Sequence, residues 1–228
     1  MTEPALNGDL NLRVSVATAS MPWSPSPSPT VWRKRVHRVG PAEAGQVTSV
    51  VRYDAGSDFP VHEHPDGEEI LVLDGVFTDD RGDWPAGTYL LNPEGYRHAP
   101  SSREGCVLFV KLRQFPGRDR RQVAIDTRTI DWQAGSGTER KLLYSQEGYS
   151  DSMALERFAP GTPAGMREYP DGAEIFVLAG ELRDEAGRFG AGTWIRFPKA
   201  AAHRPSSDSG CEIYIKRGGH AYLLAAGS

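Results

Sequence analysis

The chain repeats itself. Gly56, Gly75, Gly87, Pro93, His98, Cys106 and Lys111 recur as Gly161, Gly180, Gly192, Pro198, His203, Cys211 and Lys216, at a constant offset of 105 residues and without an insertion. Such self-similarity restricts the fold to one supersecondary unit built twice. In each copy short Val/Ile/Leu/Phe runs are separated by Asp-Gly, Ala-Gly and Pro-x-Gly turns, the pattern of antiparallel strands closing into a barrel. The 25 glycines and 17 prolines among 228 residues argue in the same direction, against helix. The expected organisation is an extended N-terminal strap over 1–44, a first barrel over 45–117, a linker over 118–140 and a second barrel over 141–228 that ends in a short tail. The Ser-Pro alternation from Ser24 to Pro29 cannot form a helix, and Trp23 and Trp32 call for burial against a barrel. Arg118, Arg120 and Arg121 read as solvated linker charge rather than an anion site.

Within the first copy, His62, His64, Glu68 and His98 supply three imidazoles and a carboxylate at metal-ligand spacing. If Phe59 to His64 is extended, His62 and His64 project from one face with α-carbons roughly 6.5 to 7 Å apart, a span that one ion bridges. Pro65-Asp66-Gly67 is a turn that starts the next strand at Glu68, and Pro93-Glu94-Gly95 is a second turn that returns His98 beside the first pair.

These residues resemble the cupins. Gly56-x5-His62-x-His64-x3-Glu68-x6-Gly75 resembles the first cupin motif with every spacing kept, and Gly87-x5-Pro93-x-Gly95-x2-His98 resembles the second. Ser102 stands where the second motif often carries Asn, a position that is not a ligand in that family. Trp23 to Pro29, Val31-Trp32-Arg33-Lys34, Gly67 to Leu73 and Gly105 to Leu112 are similar to the cupin-like domain of ChrR-type anti-sigma factors, and the similarity runs from about Trp23 to Lys216. The resemblance implies an all-β fold of two tandem antiparallel cupin (jelly-roll-like) barrels, a bicupin. For activity it implies two things: dioxygenases that cleave carbon–carbon bonds share this type of site, whereas the ChrR domain is similar to a sensor that controls a sigma factor. A ChrR-type regulator would carry a separate N-terminal domain with its own His/Cys zinc site. The short lead without cysteine in this chain favours the stand-alone catalyst.

Applying the offset to the ligands puts Arg167 at the place of His62, Tyr169 at that of His64 and Ala173 at that of Glu68, with only His203 kept. Arginine does not deprotonate and cannot replace a histidine ligand, so the second barrel is expected to hold no metal. Arg167, Tyr169 and His203 would form either a hydrogen-bonded cluster filling a decayed cavity or an anion pocket. Glu174 aligns with Glu69 rather than Glu68, and strand alternation aims both at the opposite face, outward.

One divalent metal per chain is therefore expected, Fe(II) first, with Zn(II) or Mn(II) as alternatives, since imidazole suits all three. Four protein ligands would close a tetrahedral zinc site, whereas around octahedral iron or manganese they leave positions for O2 and a chelating substrate. Glu68 would serve as a ligand or move off as a general base, with Val72, Tyr89 and Phe109 as candidate pocket walls. The net charge of −4 argues against nucleic-acid or membrane partners and for a small-molecule substrate. With no apolar run of membrane-spanning length and no leader pattern, a cytoplasmic protein is expected. Cys106 and Cys211, in equivalent positions of two copies, read as separate buried thiols rather than a disulfide. A monomer and a homodimer formed through strand edges are both compatible with the sequence.

Overall fold

Alternating apolar residues between turn signals do form strands. In the computed structural model, which describes residues 4–135, 137–161 and 163–225, every regular element among the described residues is a strand or a single turn of 3-10 helix. The outer ends of the expected lead and tail, 1–3 and 226–228, and Ser136 of the expected linker lie outside the described residues. The chain forms two units, one built mainly on Met21–Arg128, the other on Asp9–Ser20 together with Thr129–Leu223.

The main sheet of the first unit runs in the order Val123–Asp126, Thr88–Asn92, Glu68–Asp79, Cys106–Leu112, Gln46–Tyr53, Val31–Val39 and Ser24–Pro25. The second unit repeats that order as Val14–Ala17, Thr193–Phe197, Ala173–Asp184, Cys211–Arg217, Ser152–Phe158, Glu139–Ser145 and Gln133–Ala134. All of these pairings are antiparallel. Each unit adds a two-stranded ladder, His62–His64 with Tyr96–His98 in the first and Arg167–Tyr169 with Ala201–His203 in the second.

The lead and the linker are therefore not what composition suggested. Val31–Val39 is a full strand of the first sheet, and Ser24–Pro25 pairs with Trp32 and Arg33 as an edge strand, where proline leaves no ladder donor missing. Trp23 stays partly exposed, its ring faced by Lys34 Nζ at 4.4 Å, and Trp32 Nε1 donates to Asp54 at 2.7 Å. Within the linker, Val123–Asp126 pairs with Thr88–Asn92, while Arg120 is buried and donates to the Pro116 carbonyl at 3.0 Å.

The repeat also extends further than the motifs. Val14, Thr18 and Trp23 recur as Val123, Thr127 and Trp132, and the strand that opens each copy completes the sheet of the other unit. Thr127 Oγ1 donates to the Gly87 carbonyl at 2.7 Å, and Thr18 Oγ1 to the equivalent Gly192 carbonyl at 2.7 Å.

The inner faces are apolar and matched position by position. Ile70, Val72, Leu90, Cys106, Leu108 and Val110 form one core; Ile175, Val177, Ile195, Cys211, Ile213 and Ile215 form the other. Each fully buried aliphatic side chain of this kind contributes about 1.5–3 kcal/mol. The two cysteines are free and buried in separate cores, and burial pushes each thiol up to about 11. Gly75 and Gly180 have φ of 70° and 71°, and a Cβ at either would collide with the carbonyl of Gly105 or Gly210. Only glycine allows that left-handed turn and that close approach.

Candidate metal centre

Strand parity explains how the ligands meet. His62 and His64 are alternate residues of one short strand, and its antiparallel partner sets His98 directly opposite His62. The three rings lie on one face with centroids 4.7, 4.9 and 5.1 Å apart. One ligand atom from each ring falls within 4.8 Å of the others. Glu68 opens the long strand beside them, and its Oε2 lies 3.6 Å from both His64 Nε2 and His98 Nε2. The structure thus brings together all four residues expected from the sequence.

His64 Nε2 and His98 Nε2 stand 2.9 Å apart. For metal–nitrogen bonds of about 2.1 Å, ligand atoms at a right angle are about 3.0 Å apart and tetrahedral ones about 3.4 Å, so the donor set fits one divalent cation. Burial pushes the His64 imidazole below its usual range, reinforced by His98, His62 and Arg113 against the pull of Glu68. A neutral imidazole is the form that binds metal.

A supporting shell orients the donors. The Pro60 carbonyl lies 2.9 Å from His62 Nδ1, which directs Nε2 toward the centre. Behind His98, Asp79 Oδ2 lies 3.6 Å from Nδ1. Burial would raise the Asp79 carboxyl, but His98, Trp84 Nε1 at 2.9 Å and the Arg81 amide at 3.0 Å outweigh it and hold it well below the usual carboxylate range. Glu68 accepts from Asn92 Nδ2 at 3.2 Å, and Asn92 Oδ1 accepts in turn from Arg81 Nη2 at 3.0 Å. Asp79 and Arg81 lie outside both motifs, and Asn92 is an unspecified position of the second. The signal available for Asp79 was its recurrence as Asp184 at the repeat offset.

Next to the donors is a cavity of about 100 Å3, walled by Val31, Tyr53, Phe59, Phe77 and Leu108 among others. Val72, Tyr89 and Phe109 do not line it. Val72 packs deeper in the core, and Tyr89 and Phe109 have the opposite parity to the inward Leu90 and Leu108. Glu69 is on the face away from the histidines, as alternation requires, yet it is buried rather than outward and accepts from Tyr89 Oη at 2.7 Å. Glu174 repeats this with Trp194 Nε1 at 2.9 Å.

In the second unit the same positions make a different cluster. Tyr169 Oη lies 3.0 Å from His203 Nε2, and His203 Nδ1 lies 2.8 Å from Asp184 Oδ2, which also takes Arg13 at 2.6 Å. Ala173 and Phe197 replace the Glu68 and Asn92 pair across the ladder. Arg167 faces His203 in register, but its Nη2 donates to Thr138 Oγ1 at 2.8 Å. Tyr169 and His203 thus come together in a buried hydrogen-bonded chain that continues through Asp184. The only group of three or more potential metal donors among the described residues is His62, His64 and His98.

The comparisons agree with this architecture. The model of the ChrR cupin-like domain matches twice, over residues 11–116 and 120–221. A provisionally assigned dioxygenase from Nostoc punctiforme PCC 73102 is similar in structure with a TM-score of 0.75 at 15% identity, over 96% of this chain and 88% of that one. Oxalate decarboxylase of Lactobacillus farciminis, solved with formate, is similar at TM-score 0.66 and 13% identity, over 95% and 87% of the two chains. A singly substituted form of the Bacillus subtilis oxalate decarboxylase reaches 0.64 at 13% identity, over 90% and 76%. No curated protein sequence matches the chain. With both repeats matched over nearly their whole length and a metal-donor set in one of them, this chain belongs to the ChrR cupin-like domain family and has the fold of a bicupin.

Proposed function

We propose that the first unit is the non-haem Fe(II) centre of a dioxygenase acting on a small oxygenated organic molecule, with His62, His64, His98 and Glu68 holding the metal. The observation that carries this reading is the cavity directly beside the donors, walled largely by apolar side chains. A purely structural metal site has no use for such a space. Ferrous iron held by these residues would supply the redox chemistry with O2 that spin-paired organic molecules lack.

The protein's own contribution is positional. Pro60, Asp79 and Asn92 fix the donors, and Phe59, Phe77 and Leu108 keep bulk water from the reacting groups. Glu68, held by the Asn92 amide, would complete the donor set and is the carboxylate placed beside the cavity to take a proton from the substrate. Mn(II) is the alternative metal, since oxalate decarboxylase of the same fold is described with Mn(II) centres.

Family membership supports a second reading, a sensory cupin in which the same four donors close a tetrahedral Zn(II) shell and no turnover occurs. Oxygen uptake separates the two. Iron-reconstituted protein should consume O2 on addition of a diketone or hydroxylated aromatic ketone from a panel, and His64→Ala should abolish uptake. Protein that retains zinc tightly and shows no uptake with any compound supports the sensor.

A further inference from the structure

The duplication provides an internal control for the cavity, because the positions that line it have counterparts in a unit without the metal donors. At the base of the first cavity stand Val51 and Leu112, with Arg33 on the adjacent strand paired in register to Val51. At the offset of the repeat Val51 becomes Glu156 and Leu112 becomes Arg217, and the residue paired to Glu156 in register is Arg140. The second unit therefore carries a built-in carboxylate where the first has open space. Glu156 is buried, receives Arg217 Nη2 at 2.8 Å, and has Arg140 Nε at 3.9 Å. An arginine therefore stands in register beside this position in both units, Arg140 within ion-pair distance of Glu156 while Arg217 makes the hydrogen bond, and in the first unit the carboxylate is not supplied by the strand beneath it.

Two further differences between the copies point the same way. Tyr53 lines the first cavity at 9% exposure, its hydroxyl bonded to no described residue; its counterpart is Phe158, so this donor exists only beside the metal donors. Arg113 lines the pocket adjoining this cavity with a left-handed φ of 60°, where the other copy has Gly218 at 73°. A non-glycine residue in that conformation is strained, and here it sets a guanidinium with no partner among the described residues in the neighbouring pocket that shares Arg33, Val51, His64 and Leu112 with the cavity. Arg33 does give Nη1 to Glu43 at 2.6 Å, but Glu43 is half exposed at the rim, and a guanidinium fork retains further donors.

We propose that the substrate of the first unit is a small organic carboxylate whose anionic group sits where Glu156 sits in the second unit, held by Arg33 and the Tyr53 hydroxyl while the remainder of the molecule faces the His62, His64 and His98 cluster. The inference rests on the metal-centre reading for what lies at the far end of the cavity, and on the comparison of the two copies for the anion.

The test is calorimetric titration of the full chain, loaded with redox-inert Zn(II), with pyruvate and with its neutral isostere pyruvamide. Pyruvate should bind on the order of tenfold or more tightly than pyruvamide, as a charge-assisted hydrogen bond pair predicts. Arg33→Gln should remove that preference with metal content unchanged, Arg33→Lys should restore part of it, and Tyr53→Phe should weaken pyruvate several-fold. Equal binding of the two probes by the wild type, or undiminished pyruvate binding in metal-replete Arg33→Gln, overturns the proposal. Should Arg33→Gln not fold, Arg33→Lys and Tyr53→Phe decide it: an unchanged pyruvate affinity in both is the contradicting result. The same titration on chelator-treated protein separates the two readings. A chain that takes up no Zn(II) even when the ion is added back in excess, yet prefers pyruvate through Arg33, upholds the anion site and overturns the metal centre.

Discussion

The Tyr169 hydroxyl lies 3.0 Å from His203 Nε2, and so fills in the second unit the place that His64 has beside His98 in the first. A phenol and an imidazole satisfy each other where two imidazoles would share a cation. The position is buried, so it must be satisfied in one way or the other. Each unit has taken one solution, and the consequences can be measured separately.

Loss of a donor should act differently in the two units. His98→Ala should empty the first unit of metal, whereas His203→Ala should leave metal content unchanged and lower stability by about 1–3 kcal/mol, because Asp184 and Tyr169 lose a buried partner. Elemental analysis and chemical denaturation of both variants check this.

The second unit should also be sensitive to acid. Burial would raise the Asp184 carboxyl, but hydrogen bonds from His203, the Ala186 amide and Arg13 hold it below the usual carboxylate range. Because the folded value lies below the unfolded one, this stabilisation is full above about pH 4 and is lost as pH falls through the depressed folded value. Asp184→Asn should flatten the fall of stability below about pH 4, as read from denaturation midpoints at successively lower pH.

Asn92 should act on metal binding through Glu68. Asn92→Ala frees the Glu68 carboxylate from its amide donor and should weaken metal affinity by about 10–100-fold while the histidine ladder stays intact. Competition with a chelator measures the shift, and an unchanged affinity would mean that the Arg81, Asn92 and Glu68 chain does not orient the ligand.

Arg113→Gly places at φ 60° the residue that the other copy uses at the same turn. It should raise folding stability by up to about 1 kcal/mol, seen as a higher denaturation midpoint. Gly75→Ala should do the reverse and lower stability by more than about 1 kcal/mol, roughly the cost of a left-handed non-glycine residue, since its Cβ also meets the Gly105 carbonyl.

Much of the site was legible because it depends on local rules. His62 and His64 needed only the period of a strand, and Glu68 and His98 only the turns before them. The supporting groups were not legible in the same way. Asp79 and Asn92 reach the donors through pairings between strands distant in sequence, and register is a tertiary property. Phe109 is not a pocket wall because Cys106, Leu108 and Val110 are the residues of its strand that face the core, and Tyr89 is not because its parity is fixed only by pairing with Leu71. The duplication was plain from Gly56 onward, but the opening strands were hidden. The alternation in Val14–Ala17 and Val123–Asp126 marks a strand without saying which sheet it joins.

Everything proposed for the first unit depends on a single redox-active metal there. Elemental analysis of untagged protein purified without chelator, together with an oxygen-electrode trace on the iron-reconstituted sample, tests it most directly. About one metal per chain is expected, lost in His64→Ala and kept in His203→Ala, with O2 uptake on adding a substrate-class compound. Metal retained in His64→Ala, or no stoichiometric metal in the wild type, would contradict it.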